Sequence, residues 1–335
     1  MAVARWACTG GLVIAGLAGA VYPAVAAPAE SRIVSVADVG DRQQTVMVFS
    51  PAMDRAIPIQ VLRAADTTRP RPIMYLLNGS GGGPNNSGWD AQTDTVDFLR
   101  GKDLNVVTPV GGSNSYYTDW LRDDAVLGRN KWQTFLDDEL PPVIEKYLGA
   151  NGNRTLVGVS MSGTSALNLA IAKPGFWNSV ASYSGCPQTS DAVGHEFVRL
   201  TVENWGGGQS VANMWGPADG PLWRANDPLV NADRLRGTAV YLSAGSGIPA
   251  APYDTPADPR VLDGRIPLPV QIGFGGPIEA AIHYCTVNMA NRLHELNIPV
   301  TFDDRPVGTH SWGYWEEEMR RAWPFLAQTI GSEVR

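Results

Sequence analysis

Gly158-Val159-Ser160-Met161-Ser162-Gly163 is the stretch of this chain best suited to covalent chemistry. The apolar run 155–159 drops straight into a serine, and helix-forming residues follow. A sharp strand-to-helix turn of that kind lifts a hydroxyl clear of a sheet, and the helix N-terminus behind it offers backbone N–H groups to a developing oxyanion. Ser160 is therefore the candidate nucleophile. The stretch departs from Gly-x-Ser-x-Gly in one place, because Ser162 stands where the second glycine belongs.

A serine nucleophile needs a base, and in the chain order nucleophile, acid, histidine the base follows the last strand. Only His310 does so, within the polar loop Thr309-His310-Ser311-Trp312. His195 falls in a glycine- and aromatic-rich stretch, and His283 and His294 fall on a helical pattern. The acid must lie between the apolar run 239–242 and His310, which offers Asp254, Asp258, Asp263, Glu279, Glu295, Asp303 and Asp304. Pattern alone does not choose among them, and one suffices to hold the imidazole tautomer and stabilise the imidazolium. A second oxyanion donor is expected from Leu76-Leu77-Asn78-Gly79-Ser80-Gly81-Gly82-Gly83, whose glycines let backbone N–H groups approach a reacting carbonyl. No Gly-Lys-Ser/Thr ending makes that loop a phosphate cradle. The chain has no His-Glu-x-x-His, no Cys-x-x-Cys and no dinucleotide fingerprint, so neither metal nor cofactor is expected.

These residues must be carried by elements. Short apolar or β-branched runs recur at 33–39, 45–49, 57–62, 73–77, 106–110, 156–159, 180–183, 239–242 and 300–302. Helical spacing covers 132–148, where Pro141-Pro142 must interrupt or restart the helix, and then 162–172, 278–296 and 315–330. A meander of early strands followed by β-α alternation predicts an α/β fold, a mostly parallel central sheet with helices on both faces. From 186 to 235 the pattern weakens into glycine- and tryptophan-rich sequence, which reads either as an inserted cap or as a surface excursion without function; Trp205, Trp215 and Trp223 would shield the ester and hold acyl chains in the first case, and ordinary core packing accounts for them comparably well.

Residues 1–26 carry one positive charge, Arg5, an apolar stretch at 10–21 and small residues before Ala27-Pro28, which is the pattern of a secretory signal peptide. The stretch is shorter than the roughly 20 residues of a membrane span, so release is expected rather than anchoring. Its removal takes away one base and no acid, moving the net charge from −7 to −8, which argues against nucleic acid as a partner. With 44% hydrophobic residues and no Ser/Pro-rich linker, 27–335 reads as one domain. In an exported protein Cys186 and Cys285 could pair, although spacing does not tell whether their Cα atoms come close enough.

The chain resembles the secreted mycolyltransferases of mycolic-acid bacteria typified by the antigen 85 complex. The likeness covers nearly all of 27–335 and rests on Tyr75-Leu76-Leu77-Asn78-Gly79, Ser87-Gly88-Trp89-Asp90, Pro109-Val110-Gly111-Gly112, Tyr116-Tyr117-Thr118-Asp119-Trp120, the Ser160 stretch, Asn213-Met214-Trp215-Gly216-Pro217 and Gly308-Thr309-His310-Ser311-Trp312. The resemblance implies an α/β-hydrolase fold with Ser160 as nucleophile, His310 as base and Glu279, carried over by its spacing to the C-terminal blocks, as acid. It implies backbone N–H groups of Ser80 and Met161 as the oxyanion hole, and Asn78, Gly81 and Trp312 as substrate-binding positions. It further implies a secreted enzyme in peripheral contact with the cell envelope. A mycolyl group would pass from trehalose monomycolate to serine and then to a sugar or protein hydroxyl. The family's typical Asp and Arg in the loop after the Leu-Leu pair are Asn78 and Gly81 here, a loss of carboxylate and guanidinium that weakens sugar recognition. The same three residues would also serve a secreted esterase, and the fold could scaffold a cell-wall binding protein.

Overall fold

Nine strands form one sheet, in the order β1-β2-β3-β5-β4-β6-β7-β8-β9. They are β1 (Arg32–Gly40), β2 (Gln43–Ser50), β3 (Arg55–Leu62), β4 (Arg71–Leu76), β5 (Asn105–Pro109), β6 (Ala150–Val159), β7 (Ser179–Tyr183), β8 (Ala239–Gly245) and β9 (Val300–Arg305). The computed structural model describes residues 30–204 and 209–333; the expected signal peptide and Trp205 lie outside the described residues. Each strand falls on one of the apolar runs. The first four in spatial order pair antiparallel, and all pairings from β5 to β9 are parallel. β4, β5 and β7 are buried along their whole length, as strands covered on both faces must be. Edge strand β1 is exposed almost throughout and turns Val34, Val36 and Val39 to solvent.

Four longer helices cover the sheet: α1 (Leu140–Leu148), α2 (Met161–Ala172), α3 (Gly275–Glu295) and α4 (Trp312–Ile330). One core unites Leu140 and Ile144 of α1, Leu167 of α2 and Leu293 of α3 with Ile59, Tyr75 and Val180. On the other face Trp323, Leu326 and Ile330 of α4 pack with Leu99, Met74, Val157 and Tyr183. Among the described residues no helix is long and apolar enough to cross a membrane.

The prolines act on 132–148 as expected. Trp132–Thr134 is helical, Phe135–Glu139 widens into a π-turn, and α1 restarts with its prolines in the first turn. Pro141 has no N–H for the carbonyl of Asp137; the ammonium of Lys173 donates to that oxygen instead.

Candidate active site

β6 ends at Val159, and Ser160 takes φ 56° and ψ −125° before α2 begins at Met161. That left-handed backbone is strained for a residue with a Cβ. Its neighbours make the turn possible. A Cβ on Gly158 would lie 2.0 Å from the carbonyl oxygen of Ser162, and one on Gly163 would lie 2.8 Å from the Ser182 hydroxyl. The close-packing glycine therefore sits one place later than in Gly-x-Ser-x-Gly. Ser162, fully buried, uses its hydroxyl as a clamp: it accepts from Val159 N–H at 2.8 Å and lies 3.2 Å from the carbonyl of Leu77.

The loop after β9 brings His310 to this elbow. Its Nε2 lies 2.8 Å from Ser160 Oγ, and its Nδ1 lies 2.7 Å from Glu279 Oε2. Glu279, in the first turns of α3, is 1% exposed. Its other oxygen accepts from the Ser184 hydroxyl and from Gly245 N–H, each at 2.7 Å. Ser184 in turn accepts from the Trp315 indole N–H at 2.9 Å, and the Trp315 ring stands edge-on to the imidazole at 4.7 Å. The six other carboxylates all have different partners. Asp254 accepts from Thr309 and Tyr314, and Asp258, Asp263, Glu295 and Asp303 pair with arginines. Asp304 meets His283, and His195 stacks on Trp223 at 4.0 Å.

The glycine loop is tied on both sides. Gly82 N–H donates to Gly79, Asn114 N–H to Ser80, and Gly111 N–H to Gly82; the hydroxyls of Ser87 and Ser113 both donate to the Gly81 carbonyl. No described residue accepts a hydrogen bond from the backbone N–H of Ser80 or Met161. Gly81 cannot readily carry a side chain, since a Cβ there would lie 2.5 Å from that of Ser87. Asn78 is fully buried beneath the loop, donates to the Pro109 carbonyl at 3.3 Å and accepts from Trp89 N–H at 3.2 Å, so its amide braces the loop.

Two cavities meet at Ser160 and His310. One, of about 800 Å³, is walled by Gly79, Ser80, Gly81, Trp312, Trp315 and Arg265 together with a run of small polar residues. The other, of about 340 Å³, is lined by Tyr116, Phe197, Leu200, Ile278 and Ile282, with the exposed Phe274 on its wall. Burial pushes the Tyr116 hydroxyl up to about 12, against a small opposing pull from Thr201, so the phenol adds no charge to this cavity. Cys186 also lines it and is joined to Cys285 of α3 in a disulfide that fixes the cavity wall to the Glu279 helix. Trp215 and Trp223 take the core-packing alternative. They line neither cavity; each is 1% exposed and they pack against one another at 5.1 Å, with Trp215 behind Tyr116. Phe197, Leu200 and Thr201 supply what this segment gives to the cavity.

A family model described as "Putative esterase" matches residues 50–326. Over 297 residues the chain is 33% identical to the diacylglycerol acyltransferase/mycolyltransferase Ag85A of Mycobacterium leprae (strain TN), covering 86% of this chain and 83% of that one. Against the protein of the same name from Mycobacterium tuberculosis (strain ATCC 25618 / H37Rv), identity is 32% over 330 residues, covering 96% and 90%. The chain belongs to the Ag85 mycolyltransferase family. Among solved structures, Mycobacterium tuberculosis MPT51 (FbpC1) superposes with a TM-score of 0.70 at 24% identity over 87% of this chain and 100% of that one, a likeness in fold. The fold is that of the α/β-hydrolases.

Within this Ag85 family member, sequence reasoning missed Ser184, Trp315 and Arg265. Ser184 left one signal: it is the polar residue directly after a buried parallel strand, at the carboxyl end of the sheet where sites of such folds gather. Arg265 left none. It reaches the cavity from the segment between β8 and α3 and holds the carbonyl of Ala91 at 2.6 Å.

Proposed function

We propose that this chain is a serine acyltransferase that moves a mycolyl group from trehalose monomycolate, through a Ser160 acyl-enzyme, to an acceptor hydroxyl during assembly of a mycolic-acid envelope. The observation that carries this reading is the contact chain Ser160 Oγ–His310 Nε2 at 2.8 Å and His310 Nδ1–Glu279 Oε2 at 2.7 Å, set where a polar and an apolar cavity meet. His310 takes the Ser160 proton as Oγ attacks the donor ester carbonyl. The resulting oxyanion accepts from the N–H groups of Ser80 and Met161, which have no competing acceptor. Collapse expels the sugar alkoxide, which takes the proton from His310 and leaves the acyl chain on serine in the apolar cavity. An acceptor hydroxyl entering the polar cavity then gives its proton to His310 as its oxygen attacks the acyl-serine, and collapse breaks the bond to Ser160 Oγ, which takes that proton back from His310.

Glu279 stabilises the imidazolium formed in both halves, and Ser184 and Gly245 hold it in place. Trp312 and Gly81 line the acceptor side. Residues 1–26 would direct export, placing the enzyme at the envelope where its donor lies. Transfer prevails over hydrolysis only if an alcohol reaches the acyl-serine before water does.

The test is to incubate the protein and its Ser160→Ala variant with trehalose monomycolate and resolve products by mass spectrometry. Serine-dependent mycolyl transfer is expected. Serine-dependent free mycolate with no acylated product under any acceptor would make the protein an esterase, as its family model allows. Unaltered behaviour of Ser160→Ala would leave only a binding role.

A further inference from the structure

Of the six carboxylates that do not meet His310, Asp254 is the one bonded to residues on both sides of it in the chain. We propose that Asp254 is a positioning residue for the base: it clamps the loop after β9 to the first turn of α4 and so holds the imidazole in line with Ser160 and Glu279. The inference rests on the acyl-transfer reading above and adds a residue to its machinery.

Four donors converge on this buried carboxylate. Oδ1 accepts from the Thr309 hydroxyl at 2.5 Å and from Gln271 Nε2 at 2.8 Å. Oδ2 accepts from the Tyr314 hydroxyl at 2.6 Å and from Ala250 N–H at 3.0 Å. The donors divide by task. Ala250 and Gln271, the latter in the short helix Leu268–Gly273, fix the carboxylate within its own segment of the chain. Thr309 directly precedes His310 and Tyr314 lies in the first turn of α4, so their hydroxyls fix the backbone on either side of the imidazole. Both side chains are buried. Burial, and then the Asp254 carboxylate, push the Tyr314 hydroxyl above its usual range, so it remains a donor well above neutral pH.

Other ties act at other points of the loop. Gly308 exchanges hydrogen bonds with Gly247 and Ile248 at 2.9 and 2.8 Å, and His310 N–H donates to the Gly275 carbonyl at 3.1 Å. None of these three reaches the end of the loop where α4 begins. Arg305 does, through the Tyr314 carbonyl at 3.3 Å, but Asp254 alone joins that end to the residue before His310. Misplacing a reacting group by about 1 Å can cost about 100-fold in rate. Hydrogen bonds to an ionised acceptor are roughly twice as strong as neutral ones, so a carboxylate clamps the loop more firmly than an amide of the same shape.

The test compares Asp254→Asn, Thr309→Val and Thr309→Ser with the unsubstituted protein. Two quantities are read: kcat and KM for a p-nitrophenyl ester, and the downfield proton NMR signal of the His310 Nδ1–H that Glu279 accepts. The amide of Asp254→Asn must turn a donor toward either Thr309 or Tyr314. Its kcat is expected to fall about 10- to 100-fold, the loss of a hydrogen bond to a charged acceptor, with KM moving less than kcat. The NMR signal should move upfield or broaden, because the imidazole no longer rests squarely on Glu279. Thr309→Val keeps the shape without the hydroxyl and should show part of the same loss, whereas Thr309→Ser restores the hydroxyl and should recover it. Unchanged kcat in Asp254→Asn overturns the inference, as does a fall in kcat with the NMR signal unmoved. If Asp254→Asn does not fold, the Thr309 pair decides, and equal activity of Thr309→Val and Thr309→Ser overturns it. Failure of the underlying acyl-transfer reading is seen separately, as absence of an acyl-serine when the unsubstituted protein meets the p-nitrophenyl ester.

Discussion

Glu279 and Asp137 are both carboxyls on helices, 1% and 4% exposed, and the protein treats them in opposite ways. Glu279 meets three donors, from Ser184, Gly245 and His310. Asp137 sits in the π-turn before α1 with Oδ1 unpartnered, and burial pushes its carboxyl up to about 8 despite the pull of Lys173; neighbouring Asp138 adds to the rise. The ammonium of Lys173 is spent on the Asp137 backbone carbonyl and on Asp138. Burial alone therefore does not make a working carboxylate. Donors aimed at it do, and here they come from the ends of β7 and β8, where parallel strands deliver loops to one edge of the sheet.

The sharpest way to break this contrast is Glu279→Gln. Glutamine keeps the volume and can still accept from Ser184 and Gly245, but its amide then faces His310 Nδ1 and favours the tautomer whose Nε2–H points at Ser160. A histidine in that form cannot take the serine proton. By the precedent of triad acids, kcat should fall about 10,000-fold with the melting temperature nearly unchanged. A fall of less than tenfold would show that Glu279 is not the acid.

Ser184→Ala makes a smaller cut in the same network. It removes one donor from Glu279 and leaves the Trp315 indole N–H without its acceptor. A hydrogen bond to a charged group contributes about 1.5–3 kcal/mol, so kcat should fall roughly 10- to 100-fold. The KM for the donor should move less than kcat, because Ser184 lines the apolar cavity but turns its hydroxyl to Glu279. Equal loss in kcat and rise in KM would instead mean that the substitution deforms the cavity wall.

How much of this was legible in the sequence differs between the two carboxyls. The buried strands β4, β5 and β7 were readable because strands covered on both faces appear as uninterrupted apolar runs, the antiparallel β2 and β3 from β-branched residues on one buried face, and the Pro141-Pro142 break because a missing N–H is a local property. Ser160 and His310 were readable from order and local pattern. Glu279 was not chosen by pattern among seven acids; its contact with His310 depends on where α3 crosses the ends of β7 and β8. Ser184 acts through a hydroxyl to a residue far along the chain, at a separation of 95, which no local rule encodes. The bracing role of Asn78 was hidden for a related reason. A polar residue in a glycine loop looks available to a ligand, and only the packing of Trp89 and the Pro109 carbonyl around it reveals a brace. The buried Asp137, with Oδ1 unpartnered, had no sequence signal, since it occupies a polar position of a helical repeat.

Asp137 yields the smallest effect and the cleanest test, because its contribution has a sign fixed by linkage. With a folded-state carboxyl near 8 and an unfolded one near the usual 4, the folded protein holds a proton that the unfolded chain has lost throughout that window. Stability must then fall as pH rises, by up to about 1.4 kcal/mol per pH unit from this group, and level off above about 8. Asp137→Asn removes that slope. At pH 5, where the acid is neutral, the variant should be no more stable than its parent, since the amide adds buried N–H groups with no new acceptor. At pH 8 it should be the more stable of the two, by about 1–3 kcal/mol given partial relaxation around the charge. Urea unfolding at the two pH values measures this as a crossing of the curves, with esterase turnover unchanged at either. Parallel pH dependence in parent and variant would mean that Asp137 is solvated or paired in solution, and the contrast with Glu279 would collapse.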